Sequence, residues 1–267
     1  MPSTDHSRAD HVATTLGRLL DLLERGETAC LVTVIQSDQS GFPPGTKALF
    51  LADGSTDGTL VPAALAGGLA QAVREALAHH RKQAVELSPG LRVFIDVLAP
   101  EAELLICGAG HIAVPLAEFA RRVGFLVTVL DDRPDFANAA RFSGCVVLDE
   151  DFAPALRRLP LGANTYVVVI TRGHEHDLEC LAEILPKPSA YVGLIGSRRR
   201  VDFVKIELRE KGIPATRLEQ LYTPIGLPIG AESPAEIALC IVAELVAVRR
   251  LGSDAARELR DERSAGK

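Results

Sequence analysis

Three turns in this chain carry residue types suited to holding an anion, and each follows a short apolar run. They are Gly108-Ala109-Gly110-His111, Gly173-His174-Glu175-His176-Asp177 and Gly196-Ser197-Arg198-Arg199-Arg200. The first fits G-x-G-x-x-G/A, continuing through Ile112 to Ala113. Between a strand and a helix, such glycines let backbone amides approach a phosphate while the helix N-terminus adds partial positive charge. His111 directly follows the second glycine and starts at the mouth of that loop, either facing a ligand or standing as a plain helix-terminus histidine. Asp131 ends the next apolar run, where an acidic residue accepts from a ribose hydroxyl in dinucleotide sites; its competing role is to cap or to pair with Arg133.

The second turn sets two histidines and two carboxylates side by side. A His-x-His pair can ligate a metal, but a tetrahedral site needs further ligands that the local sequence does not supply, and no metal ligand is assigned. The same histidines can instead hydrogen-bond an oxygen-rich ligand, or Asp177 can simply cap the helix that follows. The third turn joins a helix start, a hydroxyl and guanidinium groups, a combination suited to phosphate or carboxylate. Adjacent arginines point in different directions around a helix, so Ser197 and Arg198 are the better candidates, against a solvated basic turn. Cys107, just before the glycine loop, is either a thiolate near the site or a small core residue. No G-x-S-x-G elbow marks a serine triad, and no residue is assigned as catalytic.

The elements that must position these turns follow from periodicity. Apolar runs at Leu104 to Cys107, Phe125 to Leu130, Cys145 to Leu148, Tyr166 to Ile170 and Tyr191 to Ile195, with helical stretches between, predict parallel strands covered on both faces. That is a Rossmann-like α/β arrangement, in which loops at the carboxyl ends of the strands share one crevice. After the Pro/Gly-rich Thr223 to Ala231, Ser233-Pro234-Ala235-Glu236 predicts a capping box and a last helix to about Arg250. Residues 252–267 are charged, lack apolar anchors and are expected to fray. Upstream, Val12, Leu16, Leu19, Leu20 and Leu23 predict a helix over residues 10–25 stopped by Gly26. Strands are expected at Cys30 to Ile35, Ala48 to Leu51 and Leu91 to Leu98, a turn at Ser40 to Gly45, and a helix from about Ala63 to His80. The domains are therefore residues 1–99, a small α+β unit, and residues 100–267, a parallel-sheet unit.

Composition narrows the class. The 267 residues are 47% hydrophobic, enough for buried cores, and the net charge of −6 argues against a broad nucleic-acid surface. No apolar run reaches the roughly 18 residues of a membrane span, and the polar start lacks a secretory pattern, which places the protein in the cytoplasm. Five widely spaced cysteines do not read as a disulfide framework or a structural zinc site.

Five ordered motifs carry a resemblance: Gly108-Ala109-Gly110-His111, Val129-Leu130-Asp131-Asp132-Arg133-Pro134, Thr171-Arg172-Gly173-His174-Glu175-His176-Asp177, Val192 to Arg200, and Pro224 to Ala238. On them the chain resembles the XdhC/CoxI family, accessory factors of molybdenum hydroxylases such as xanthine dehydrogenase, with an N-terminal XdhC/CoxI domain and a C-terminal Rossmann domain. The resemblance implies a chaperone that binds molybdenum cofactor, as molybdopterin or its dinucleotide form. It would support sulfuration with a cysteine desulfurase and deliver the cofactor to an apo molybdenum hydroxylase. The site residues so implied are Gly108, Gly110, His111, Asp131, Arg133, Gly173, His174, His176, Gly196, Ser197 and Arg198. The N-terminal half departs from the family's Gly-Ser-x-Pro-Arg stretch, having Asp38-Gln39-Ser40-Gly41-Phe42, then Gly45 and Lys47, with Gly67-Gly68-Leu69-Ala70-Gln71 later. Two other readings compete: an oxidoreductase binding NAD(P) or FAD through the same loop and Asp131, and an adaptor whose loop holds no ligand. Neither nucleic acid nor membrane is expected as a partner; a homodimer is compatible with the apolar last helix.

Overall fold

The computed structural model describes residues 4–264 apart from Ser40, Ala52, Thr59 and His80, so the Ser40 end of the expected turn and the His80 end of the expected helix lie outside the described residues. Two compact units, Met1–Pro100 and Glu101–Lys267, divide the chain.

In the first unit, helix α1 (Thr4–Glu24) ends as Gly26 turns to φ 77°, letting the Glu27 amide reach back to the Leu22 carbonyl. Strands β1 (Ala29–Ser37), β2 (Lys47–Leu51) and β3 (Thr56–Asp57), helix α2 (Ala63–His79), and strands β4 (Gln83–Ser88) and β5 (Leu91–Leu98) follow. The strands form a sheet of order β3-β2-β1-β5-β4 with antiparallel neighbours. One face carries Val32, Val34, Val93 and Ile95, packed with Leu69, Val73 and Ala76 of α2. Strand β4 has no counterpart in the apolar pattern, because an edge strand with no fully buried residue shows little hydrophobic alternation.

The second unit runs β6 (Ala102–Cys107), α3 (Ala113–Arg122), β7 (Phe125–Asp131), β8 (Val146–Asp149), α4 (Phe152–Arg158), β9 (Thr165–Val169), α5 (His174–Ile184), β10 (Tyr191–Leu194), α6 (Arg198–Glu210), α7 (Ala215–Glu219), α8 (Pro234–Leu251) and α9 (Ser253–Ser264). Its sheet has the order β10-β9-β6-β7-β8 with parallel neighbours throughout. All five residues of β9 are buried, as a strand covered on both faces requires. On one side Leu104, Ile106 and Val129 pack with Leu116 and Ala117 of α3 and Ile241 and Leu245 of α8; on the other, Leu105, Val167 and Val169 pack with Phe152, Leu156, Leu181 and Val204.

The capping box of α8 is formed: the Ser233 hydroxyl accepts from the Glu236 amide, and the Glu236 carboxylate accepts from the Ser233 amide. The tail is a correction as far as residue 264, residues 265–267 lying outside the described residues. Instead of fraying, Ser253–Ser264 form α9, with Ala256 fully buried and the Arg257 guanidinium 4.1 Å over the Tyr222 ring. Arginine on an aromatic face anchors this helix, a contact that a count of apolar residues does not register. No helix among the described residues is long and apolar enough to cross a membrane.

Candidate functional site

Strand β6 leads to β7 on one side and has β9 on the other, so the chain changes direction about β6 and leaves a crevice beyond its carboxyl end. The glycine loop leaves β6 there. Gly108 sits at φ 110°, and a Cβ on it would lie 2.5 Å from the Ile170 carbonyl oxygen. Its amide donates to the Leu130 carbonyl at 2.8 Å, while the Ile170 amide donates to the Cys107 carbonyl at 2.9 Å. Gly108 is thus wedged between the ends of β7 and β9. Gly110 differs: its φ is not positive, and a Cβ there would meet nothing within 4 Å. Among the described residues, the Gly110 and His111 amides find no acceptor within the chain, and His111 is exposed. The far side of the loop is held by Arg141, which donates to the Ala109 carbonyl at 2.8 Å and the Phe136 carbonyl at 2.7 Å. Beneath the loop Cys107 is fully buried against Cys180, whose pKa burial pushes up; it is a core residue.

Asp131 stands where expected, at the end of β7, but its carboxylate is turned inward and only 1% exposed. One oxygen accepts from the Arg133 amide at 3.2 Å and Nε at 2.7 Å; the other accepts from the Ala109 amide at 2.7 Å and Arg133 Nη2 at 2.8 Å. A carboxylate has about four acceptor positions, so none remains here for a ribose hydroxyl. Asp131 and Arg133 together pin the glycine loop to β7, and Arg133 lies 3.8 Å over the Phe136 ring.

The neighbouring pair lies within the motifs, although neither residue is a candidate on spacing alone. Asp132 accepts two hydrogen bonds from Arg172, one of 2.7 Å from Nη2, and joins the loops after β7 and β9 across the end of β6. Those hydrogen bonds hold the Asp132 carboxyl down to about 2, against the upward push of burial. A depressed carboxyl stabilises the fold above its unfolded-state pKa and loses that contribution as pH falls toward the folded value. Asp132→Asn is therefore expected to flatten the acid limb of Tm against pH between about 4 and about 2. The effect should be modest, because Arg172 is 40% exposed. Superimposable acid limbs for the two proteins would show that the pair contributes nothing.

The histidine turn separates its two rings. His174 opens α5 and sets its ring edge-on to Phe203 of α6 at 5.4 Å, whereas His176 lies 5.4 Å from the Phe152 ring of α4 and 3.4 Å from the Glu179 carboxylate. Residues two apart on a helix face different ways, and these two do not form a shared ligand pair. Among the described residues no group of three His, Cys, Asp or Glu is placed to hold a metal ion. Asp177, fully buried, accepts from the Thr171 hydroxyl at 2.6 Å and from Arg200 Nε at 2.6 Å, tying the end of β9 to the first turns of α5 and α6. Burial pushes the Asp177 pKa up while those two hydrogen bonds pull it down. Gly173 precedes α5 with open space where a Cβ would stand.

In the arginine turn, Gly196 lies against the Arg200 and Val201 side chains, and the Ser197 hydroxyl caps α6 by accepting from the Arg200 amide at 3.4 Å. Arg200 is thus structural. Arg198 is exposed and lines a separate cleft with residues 221–228 and α9. The expected site therefore divides: Gly108, Gly110, His111, Asp131 and Arg133 cluster at the glycine loop, Ser197 shares a pocket with His174, Arg200 and Phe203, and Arg198 lines the other cleft.

The family model of the XdhC Rossmann domain matches residues 104–245, more than half of the chain. The chain belongs to the XdhC family. A second model, of the XdhC and CoxI family, matches residues 22–88, so both units are accounted for despite the altered N-terminal motif. The Uncharacterized protein YqeB of Escherichia coli is 34% identical over 60% of this XdhC chain and 29% of its own length. A probable xanthine dehydrogenase subunit of Bacillus subtilis is 34% identical over 59% of this chain and 46% of its own. A crystal structure of a xanthine dehydrogenase from Bacillus halodurans, 27% identical, superposes with a TM-score of 0.65 over 90% of this chain and 68% of that one. These matches span less than half the length of either curated relative.

Proposed function

We propose that this XdhC chain binds molybdenum cofactor, shelters it, and passes it to a xanthine dehydrogenase-type molybdenum hydroxylase, with a cysteine desulfurase as the partner for sulfuration. The observation that carries the reading is the glycine loop. Among the described residues its Gly110 and His111 amides are unpaired, and the open space at Gly110 admits a group that a side chain would exclude. They lie just before the N-terminus of α3, which favours negative charge. Those features fit the phosphate end of a pterin cofactor. When bound, the cofactor would supply the molybdenum that the client uses; this chain would supply the amides that hold the phosphate, with Arg172 and Arg133 as the nearby guanidinium groups and His111 at the mouth.

The oxidoreductase alternative draws less support, because Asp131 spends its acceptor positions on Arg133 and Ala109. A dinucleotide would have to displace Arg133 to reach it. The two readings separate by purification from a host that makes the cofactor. Under anaerobic handling, oxidation of the protein is expected to release a fluorescent pterin in near-stoichiometric amount. Pterin-free protein that instead binds NADH or NADPH tightly, and loses that binding in Asp131→Asn, would overturn the proposal in favour of the oxidoreductase.

A further inference from the structure

Beyond β10, a cleft of about 420 Å³ opens between the first turn of α6, the Pro/Gly-rich loop and α9. Among the described residues its walls carry three guanidinium groups, Arg198, Arg257 and Arg260, and no carboxylate. Bringing three cations to one cleft costs repulsion unless something offsets it. One offset is visible: the fully buried Glu244 lies 3.2 Å behind the Arg260 Nε.

Two of the arginines are held in place. Arg257 stacks on Tyr222 and donates to the Gln220 carbonyl at 2.5 Å; Arg260 donates to the Pro224 carbonyl and its side chain is only 15% exposed. A solvated basic surface would not fix its side chains so, whereas a preorganised anion site does. A second, independent feature is Thr223, another lining residue, whose hydroxyl is buried without a hydrogen-bond partner among the described residues. Buried hydroxyls ordinarily have one, and a ligand oxygen would satisfy it. The cleft is larger than inorganic phosphate needs, and Leu221, Pro224 and Pro228 give it apolar walls.

We propose that this cleft binds a phosphorylated small molecule, its phosphate on Arg198, Arg257 and Arg260 with the Thr223 hydroxyl, and its organic body against Leu221, Pro224 and Pro228. The site is independent of the glycine loop and of any cofactor held there.

Hydrogen exchange of the whole protein with pyrophosphate as the probe tests it. Added pyrophosphate should slow exchange in residues 221–230 and 253–260, relative to sodium chloride of equal ionic strength. Arg198 makes no contact that folding requires, so Arg198→Gln should stay folded and raise the pyrophosphate concentration for half-maximal protection by about tenfold or more. Gly110→Val, in the other loop, should leave protection of these two segments unchanged. Protection confined to residues 108–113, protection equalled by sodium chloride, no protection, or protection indifferent to Arg198→Gln would each overturn the proposal. None of those outcomes bears on pterin recovery, so the two readings fail separately.

Discussion

Gly108→Ala is expected to lower the Tm of the second unit by roughly 10 °C, whereas Gly110→Val should shift it by no more than about 2 °C. The two glycines belong to one motif, but the chain asks different things of them. At Gly108, φ is 110° and a Cβ would meet the Ile170 carbonyl oxygen at 2.5 Å. The left-handed side of the map costs a residue with a Cβ about 1–2 kcal/mol. Forcing the loop off the end of β9 adds about 1–3 kcal/mol, the scale of overpacking. At Gly110 neither penalty applies, since the position is open and its φ is not positive. The same substitution fills the space beside the unpaired amides. Purified from a cofactor-making host, Gly110→Val should therefore carry at least tenfold less pterin than the wild type while melting nearly where it does. A variant that keeps its full pterin content would show that this space holds nothing. If it also activates the client normally, the adaptor reading would gain.

What the sequence made legible, and what it did not, follows from the range of each interaction. The inner strand β9 was readable because a strand buried on both faces needs an unbroken apolar run, and Tyr166 to Ile170 is such a run. The place of Asp131 was readable too, and so was Arg133 as its alternative partner, but not which of ribose and Arg133 would prevail. Arg133, two residues on, competes with any ligand for the carboxylate, and the winner depends on how the chain turns after β7. The histidines were misleading for a simpler reason. His-x-His suggests a joint site only if both residues lie on a loop or strand. Here α5 begins at His174, and the helix sends His176 toward Phe152. The cluster of Thr171, Asp177 and Arg200 joins three elements through one buried carboxylate, and nothing in local spacing marks it. Helix α9 is not legible in the apolar pattern because its anchors are arginines on Tyr222 rather than leucines. Pro89-Gly90, a turn signal just before β5, was the available clue to β4.

Glu244→Ala should be among the most destabilising single changes in the second unit, at about 3–5 kcal/mol, measurable by denaturant unfolding. A carboxylate with no exposed surface in the middle of α8 would be costly if it stood alone. Instead it accepts from the Tyr191 hydroxyl at 2.5 Å and the Gly226 amide at 2.9 Å, and lies 3.2 Å from the Arg260 guanidinium. Three elements, β10, the Pro/Gly-rich loop and α9, are thereby fastened to α8 at one point. Burial, reinforced by the Glu244 carboxylate, pushes the Tyr191 phenol pKa well up, keeping it a donor. Alanine would strand a buried phenol, a buried amide and a largely buried guanidinium together. Glu244→Gln separates the charge from the hydrogen bonds: its carbonyl oxygen can still accept from Tyr191 and Gly226, but its amide group opposes Arg260. An intermediate loss of about 1–3 kcal/mol is expected. The same substitution removes the negative charge behind the three-arginine cleft, so pyrophosphate should protect residues 253–260 at lower concentration than in the wild type. Lower stability joined to tighter anion binding would identify Glu244 as both the fastener of this region and the charge that limits its pull on phosphate. A glutamine variant as stable as the wild type would mean that hydrogen bonds alone hold the three elements, leaving the Arg260 ion pair without structural weight.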